Sequence, residues 1–158
     1  MTRQRLTGSI VGALAVALLA IQLVPYGRQH TNPPVTGVPQ WDSPRTEELA
    51  RRACFDCHSH ETRWPWYASI APVSWRVQSH VDEGREHLDF SAFDRVQRHA
   101  DDAAEMVTEG EMPPWDYAMM HPEARLSDTE KQELIRGLTA TFGSRAGGGH
   151  EHGDHDDD

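Results

Sequence analysis

Cys54-Phe55-Asp56-Cys57-His58 places two thiols three positions apart and an imidazole directly after them. The spacing is C-x-x-C-H, which suits covalent attachment of a c-type haem. Each thiol can add to one vinyl group of the ring, and the adjoining His58 can bind the iron. Cys54 and Cys57 are the only cysteines, so none remain for a disulfide or a four-thiolate metal site. A redox dithiol would want a thioredoxin-like βαβ setting, and a structural zinc would want a second pair of spaced ligands. Neither pattern occurs: His60 is near, but no second C-x-x-C or H-x-x-x-H follows inside the domain. A ligating histidine commonly donates its other ring N–H to a backbone carbonyl. The Pro65–Pro72 loop is the expected source.

For the sixth iron ligand the best candidate is Met112, in Gly110-Glu111-Met112-Pro113-Pro114-Trp115. A thioether is a soft, neutral ligand that favours reduced iron, and two prolines should stiffen the chain after it and keep it extended. The alternatives are His80, His87, His99 or His121, then Met119 or Met120, a vacant site, or Met112 as plain hydrophobic filling. Trp64, Trp66, Tyr67, Trp75 and Trp115 lie near these segments. They suit packing against a flat ring, and suit an ordinary aromatic core equally. Arg63, Arg76 and Arg85 could pair with propionates or be simply solvated. No catalytic constellation stands out: there is no serine-nucleophile motif and no phosphate loop, and Asp101-Asp102 reads as an exposed helix face.

Several elements must position these groups. Ser43-Pro44 is a helix start, with Glu47 and Glu48 at the positive end of the dipole and Leu49, Ala50 and Ala53 leading to Cys54. Ser59–Ala71 reads as an irregular loop. Pro72 opens a second helix, with Val73, Val77, Val81, Gly84 and Leu88 on one face. Gly84 on that face would allow close approach of a backbone or of the ring. Ser91 is the expected N-cap of a third helix carrying Phe93, Val96, Ala100, Ala103, Ala104 and Val107 and ending at Gly110. Met112–Leu126 reads as a long loop. Ser127-Asp128-Thr129-Glu130 is a capping box for a last helix with Leu134, Ile135, Leu138 and Phe142 inward and Gly143 as its stop. Strand alternation is absent. The expected fold is all-α, a small cytochrome c-like domain of about four helices around one covalent haem.

The ends differ from this core. Arg3 and Arg5 precede Ile10–Tyr26, an uncharged run of 17 residues, the pattern of a signal peptide or a short anchor. A small-x-small cleavage site at the end of the run is missing, which favours an uncleaved anchor. The flanking charges put the N-terminus in the cytoplasm and the domain outside. Export agrees with the haem reading, since a cytosolic C-x-x-C would point to redox or zinc chemistry. The organisation is thus a leader over 1–28, a Pro-rich linker over 29–40, the haem domain over 41–144 and a Gly/His/Asp-rich disordered tail over 145–158. The tail holds His150, His152 and His155, and could bind a divalent metal weakly.

The net charge is −10, and five of the 25 acidic residues lie between Glu151 and Asp158. An acidic balance argues against nucleic acid, where phosphates need Lys and Arg. It suits a soluble or surface-tethered domain meeting basic or neutral partners.

CFDCHSHETRWPWYASIAPVSW, VDEGREHLDF, GEMPPW and HPEARLSDTEK together resemble the bacterial haem-binding domain family of small exported proteins with one C-x-x-C-H. The resemblance covers roughly residues 20–143, with WPWY, APVSW and HPEA its most specific motifs. It implies a membrane-anchored or periplasmic monohaem c-type cytochrome of a bacterial inner membrane. Cys54, Cys57 and His58 match the attachment motif, and Met112 matches the family's M-P-P. The His/Asp tail departs from the family pattern. The resemblance supplies no redox partner. The leading expectation is an electron carrier for an unknown partner protein. The alternatives are a haem sensor or peroxidase-like enzyme with a displaceable sixth ligand, and a non-haem metal-handling module using the tail and the two thiols.

Overall fold

The computed structural model describes residues 2–143, with side chains from residue 7 onward. The proposed metal-binding tail lies outside the described residues. Among the described residues seven α-helices follow in order: α1 Thr2–Ile21, α2 Pro44–Ala53, α3 Phe55–His58, α4 Val73–His87, α5 Ala103–Glu109, α6 Trp115–Met120 and α7 Asp128–Phe142. No strand forms among the described residues. One isolated bridge joins Gly37 and Ala92. The all-α expectation therefore holds, with more and shorter helices than anticipated.

The chain divides into two compact units. The first comprises the described residues through Val38 together with Phe55–Asp94, and the second Pro39–Cys54 together with the described residues from Arg95. The chain thus passes from the second unit to the first inside the C-x-x-C-H motif, between Cys54 and Phe55.

In the first unit, α3 packs on α4, and α4 on the 3-10 turn Trp66–Ser69. Phe55, Ala68, Ala71, Val81, Leu88, Phe90 and Ala92 form its buried core, with Phe55 stacked on Phe90 at 5.3 Å. The expected face of α4 is buried from Val81 to Leu88, but Val73 in its first turn is exposed. The linker residues lie on this unit: Asn32 Nδ2 donates to the Thr62 carbonyl (2.9 Å) and Thr36 N to the Ser91 carbonyl (2.9 Å).

The helix expected to start at Ser91 does not form there. The Ser91 carbonyl accepts the amides of both Thr36 and Gly37, and the Phe93 amide donates to the Gly37 carbonyl. Its hydroxyl accepts the His60 amide at 2.8 Å. Groups that would begin a helix are spent on the linker and the post-motif loop, and Val96 is exposed. Regular helix begins only at Ala103, after a 3-10 turn over Ala100–Asp102.

The leader also differs from expectation. Among the described residues no helix is long and apolar enough to cross a membrane. The uncharged run begins at Ile10 and α1 ends at Ile21, so its apolar helical part spans only about 18 Å at 1.5 Å per residue. The chain then turns at Gln22, whose Oε1 accepts the Ala71 amide (3.0 Å) and whose Nε2 donates to the Ala71 carbonyl (2.8 Å).

In the second unit, α2 and α7 pack together. Ser43 caps α2 by accepting the Thr46 amide at 3.2 Å. Gly137 on α7 faces the Thr46 side chain so closely that a Cβ there would collide with it. Leu49, Ala50, Leu134 and Leu138 are buried between the helices. The stretch Met112–Leu126, expected as loop, contains α6 and a 3-10 turn at Pro122–Ala124.

The capping box of α7 is present: Ser127 Oγ accepts the Glu130 amide and Glu130 Oε2 accepts the Ser127 amide. Glu130 Oε1 also accepts from Arg52 Nη1 of α2 at 2.6 Å. The Arg52 hydrogen bond first, then those from Ser127, hold the Glu130 carboxyl down to about 2 from 4.5. The unfolded chain therefore takes up this proton first. The contribution is complete above 4.5 and is lost as pH falls towards 2. Thermal unfolding followed across that window should show a shallower acid loss of Tm in Glu130→Gln than in the wild type.

Candidate haem-attachment site

Cys54 is the C-cap of α2, its amide donating to the Ala50 carbonyl at 2.8 Å. The four-residue α3 carries the rest of the motif. Neither Cys54 nor Cys57 is in a disulfide, and both are half-buried.

His58 Nδ1 donates to the Leu88 carbonyl at 2.9 Å. This places the proton on Nδ1 and leaves the Nε2 lone pair for a metal. The carbonyl comes from the end of α4, not from the expected Pro65–Pro72 loop. Leu88 is the C-cap of α4 and has left helical geometry (φ −151°, ψ 119°), so its oxygen is not committed to a helical hydrogen bond. The Phe90 amide returns to the His58 carbonyl at 2.7 Å, closing a two-way connection. Burial pushes the His58 pKa below its ordinary value, against the opposing effect of the Leu88 and Gly84 carbonyls. The neutral, metal-binding form is the one favoured.

The approach of α4 to the motif depends on Gly84. A Cβ there would lie 2.6 Å from the Cys57 carbonyl oxygen and 3.1 Å from Cys57 Cβ. The small residue noted in the sequence thus faces the motif backbone.

The spacer residue Asp56 is buried and holds the segment that follows. Its Oδ1 accepts the Arg63 amide (3.0 Å) and Nε (3.2 Å), and its Oδ2 accepts Arg63 Nη2 (3.0 Å). Thr62 Oγ1 donates to the Asp56 carbonyl at 2.8 Å. His60 has both ring nitrogens engaged, Nδ1 with the Pro34 carbonyl and Nε2 with Asp89 Oδ2, each at 2.8 Å. Arg85 reaches from α4 to the carbonyls of Ser59 (2.9 Å) and Thr31 (3.2 Å), Asn32 Oδ1 (3.1 Å) and Thr62 Oγ1 (3.0 Å). Arg63 and Arg85 are therefore framework residues here. The sequence showed no sign of the roles of Asp56, Asp89 or Leu88, because each depends on a partner 7 to 30 positions away.

The aromatic residues divide. Trp64 Nε1 donates to Asn32 Oδ1 (3.2 Å), and its ring stacks on His30 at 4.8 Å. Trp66 and Trp115 are exposed. Trp75 lies nine positions from Gly84, on the opposite side of α4 at 100° per residue.

Met112 belongs to the second unit and is half-buried. Gly110 ends α5 in the left-handed region (φ 77°), and the Met106 carbonyl then accepts the amides of Glu111 (3.0 Å) and Met112 (3.1 Å). The backbone at Met112 is thereby tied to α5. The Met112–Pro113 peptide is cis, Pro114 has an extended backbone (φ −55°, ψ 140°), and α6 begins at Trp115. Among the alternative ligands, His87 and His121 hold backbone carbonyls through Nδ1, those of Glu83 and Tyr117, and His99 Nδ1 holds Asp102. Met119 and Met120 are exposed. No group of three His, Cys, Asp or Glu suited to a metal ion occurs among the described residues.

The donor set fits a haem: two thiols outside any disulfide, an imidazole with its outer nitrogen fixed, and a glycine that brings α4 against the motif. An all-helical frame around such a set defines a helical haem-binding domain. The chain belongs to the haem-binding domain family, whose model matches residues 16–140. No curated protein and no solved structure matches the chain.

Gly84→Ala should destabilise the protein by about 1–3 kcal/mol through overpacking on the Cys57 backbone. Gly12→Ala, where nothing lies within 4 Å of the added carbon, should not. Urea unfolding of the two variants measures the difference.

Proposed function

We propose that this protein is an exported, membrane-associated c-type cytochrome with one covalent haem, and that it carries electrons for a partner protein. The observation that carries the reading is the His58–Leu88 hydrogen bond inside a C-x-x-C-H motif. It prepares one imidazole nitrogen for iron beside two thiols.

When bound, haem supplies one-electron exchange between ferric and ferrous iron. In this reading Cys54 and Cys57 would hold the haem covalently through their sulfurs. His58 would bind the iron through Nε2, while the Leu88 carbonyl keeps the ring oriented and raises its basicity. Met112 would be the other protein ligand to the iron; its soft, neutral thioether supports this role. The Asp56–Arg63 and Arg85 contacts hold the post-motif loop still during oxidation and reduction. The leader, with Arg3 and Arg5 ahead of its apolar run, carries the domain out of the cytoplasm and keeps it at the membrane.

Covalent attachment is tested on a denaturing gel. A haem-stained band should run at the mass of the protein and be lost in the Cys54→Ser/Cys57→Ser double variant; an unstained wild-type band would refute the c-type assignment. Met112→Ala should remove the methionine-to-ferric-iron charge-transfer band and open the reduced protein to carbon monoxide. An unchanged spectrum would exclude Met112 as ligand, and rapid carbon monoxide binding by the wild type would argue for a sensor or peroxidase-like site instead.

A further inference from the structure

We propose that the first unit lies against an anionic phospholipid surface through the corner formed by Trp66, Ile70 and Val73, with the leader fixed beside it. The proposal deepens the membrane association stated above and rests on it.

The first observation is how the leader joins the domain. Gln22 makes a two-point amide pair with the backbone of Ala71. Arg28 Nη2 donates to Gln22 Oε1 at 3.2 Å, and Tyr26 Oη donates to Asp82 Oδ2 at 3.1 Å. Gly27 (φ 78°) is buried against the Ser74 backbone so closely that a Cβ would collide with it. These contacts fix the end of α1 to residues 71–74 and leave no free tether between them.

The second observation is what surrounds that joint. Ile70 and Val73 flank Ala71 and are exposed. Trp66, one turn before Ile70, is 79% exposed, and Leu23 beside Gln22 is 84% exposed. Val24 and Tyr26 are exposed too, and they continue the apolar surface of α1. Indole and phenol side chains in such a setting suit the interfacial layer of a bilayer, where one end is apolar and the other wet.

Charge is the third observation, and it selects the occupant. The chain is strongly acidic, yet no Asp or Glu occurs in residues 1–41 or 62–81. Those two stretches are the ones that Gln22 and Ala71 join. Their charged residues are Arg3, Arg5, Arg28, Arg63 and Arg76. Arg63 is held by Asp56 and Tyr26 meets Asp82, so Arg3, Arg5, Arg28 and Arg76 carry the positive charge of these stretches. With the exposed aliphatic and indole groups they match anionic lipid headgroups, which attract basic residues and repel acidic ones.

The test uses the full-length protein reconstituted in phosphatidylcholine/phosphatidylglycerol vesicles that contain a phospholipid with a headgroup-level diazirine. After illumination, peptide mapping should find lipid adducts on residues 63–76 as well as on α1. The adducts on 63–76 should fall about ten-fold in Trp66→Ser/Ile70→Ser/Val73→Ser, and about three-fold or more in pure phosphatidylcholine or at high salt, with those on α1 retained. Since these three side chains are exposed, the variant should fold, and its haem content checks this. Adducts confined to α1 would overturn the proposal, leaving the corner to a protein partner, while membrane association would stand. A protein bearing haem but no adducts anywhere would overturn both the proposal and the membrane association, and would leave the cytochrome assignment intact.

Discussion

The Leu88 carbonyl decides which nitrogen of His58 carries the proton, and the first unit is arranged around that bond. To offer its oxygen, Leu88 must sit where α4 has just stopped, free of the helical ladder. To bring that helix end to the motif, α4 must pass close to Cys57, which a side chain at position 84 would prevent. The return bond from the Phe90 amide to the His58 carbonyl then fixes the segment after the helix. A neutral imidazole with one committed nitrogen is a better-defined ligand than one free to rotate, because orientation and tautomer are set before any metal arrives. Burial acts in the same direction, since it disfavours the charged ring.

Local signals in the sequence match the structure where the structure uses them locally. The Ser43-Pro44 start, the Ser127–Glu130 capping box and the Gly110 and Gly143 stops all appear where short-range chemistry places them. The motif and the family resemblance pointed to haem, and the match over residues 16–140 agrees. What sequence could not show was long-range. Ser91 looks like an N-cap, but its carbonyl and hydroxyl serve the linker and the loop after the motif. Arg63 and Arg85 read as possible propionate partners or solvated side chains, but they are engaged with Asp56 and with loop carbonyls. The nearer proline-rich loop looks like the source of the His58 partner, but that partner lies 30 residues downstream. In each case a plausible local role lost to a tertiary hydrogen bond, which carries no periodicity and no spacing rule.

The two units are held by different kinds of interaction. In the first, backbone carbonyls and amides around the motif are answered by side chains that reach across from α4 and the linker. The second relies on a helix pair with a glycine-to-threonine contact and a lattice of ion pairs. Arg45 meets Glu48, Glu130 and Glu133, while Arg52 meets Glu130. Exposed pairs of this kind contribute modestly one by one. Glu130 is the exception in kind, because one carboxylate closes both a helix cap and a contact between helices.

Asp56 gives the attachment sequence a practical boundary. It is nominally a spacer, yet it anchors Arg63, while His60 reaches back to Pro34 and across to Asp89. A protein engineer who transplanted only the five residues Cys54–His58 into another helical host would move the reactive atoms without their bearings. The thiols would remain, but the imidazole would be free to choose either tautomer. The smallest portable cassette for this chemistry runs from the linker at Thr31 to Ser91, with the segment between Val38 and Cys54 treated as an insertion that the host scaffold replaces.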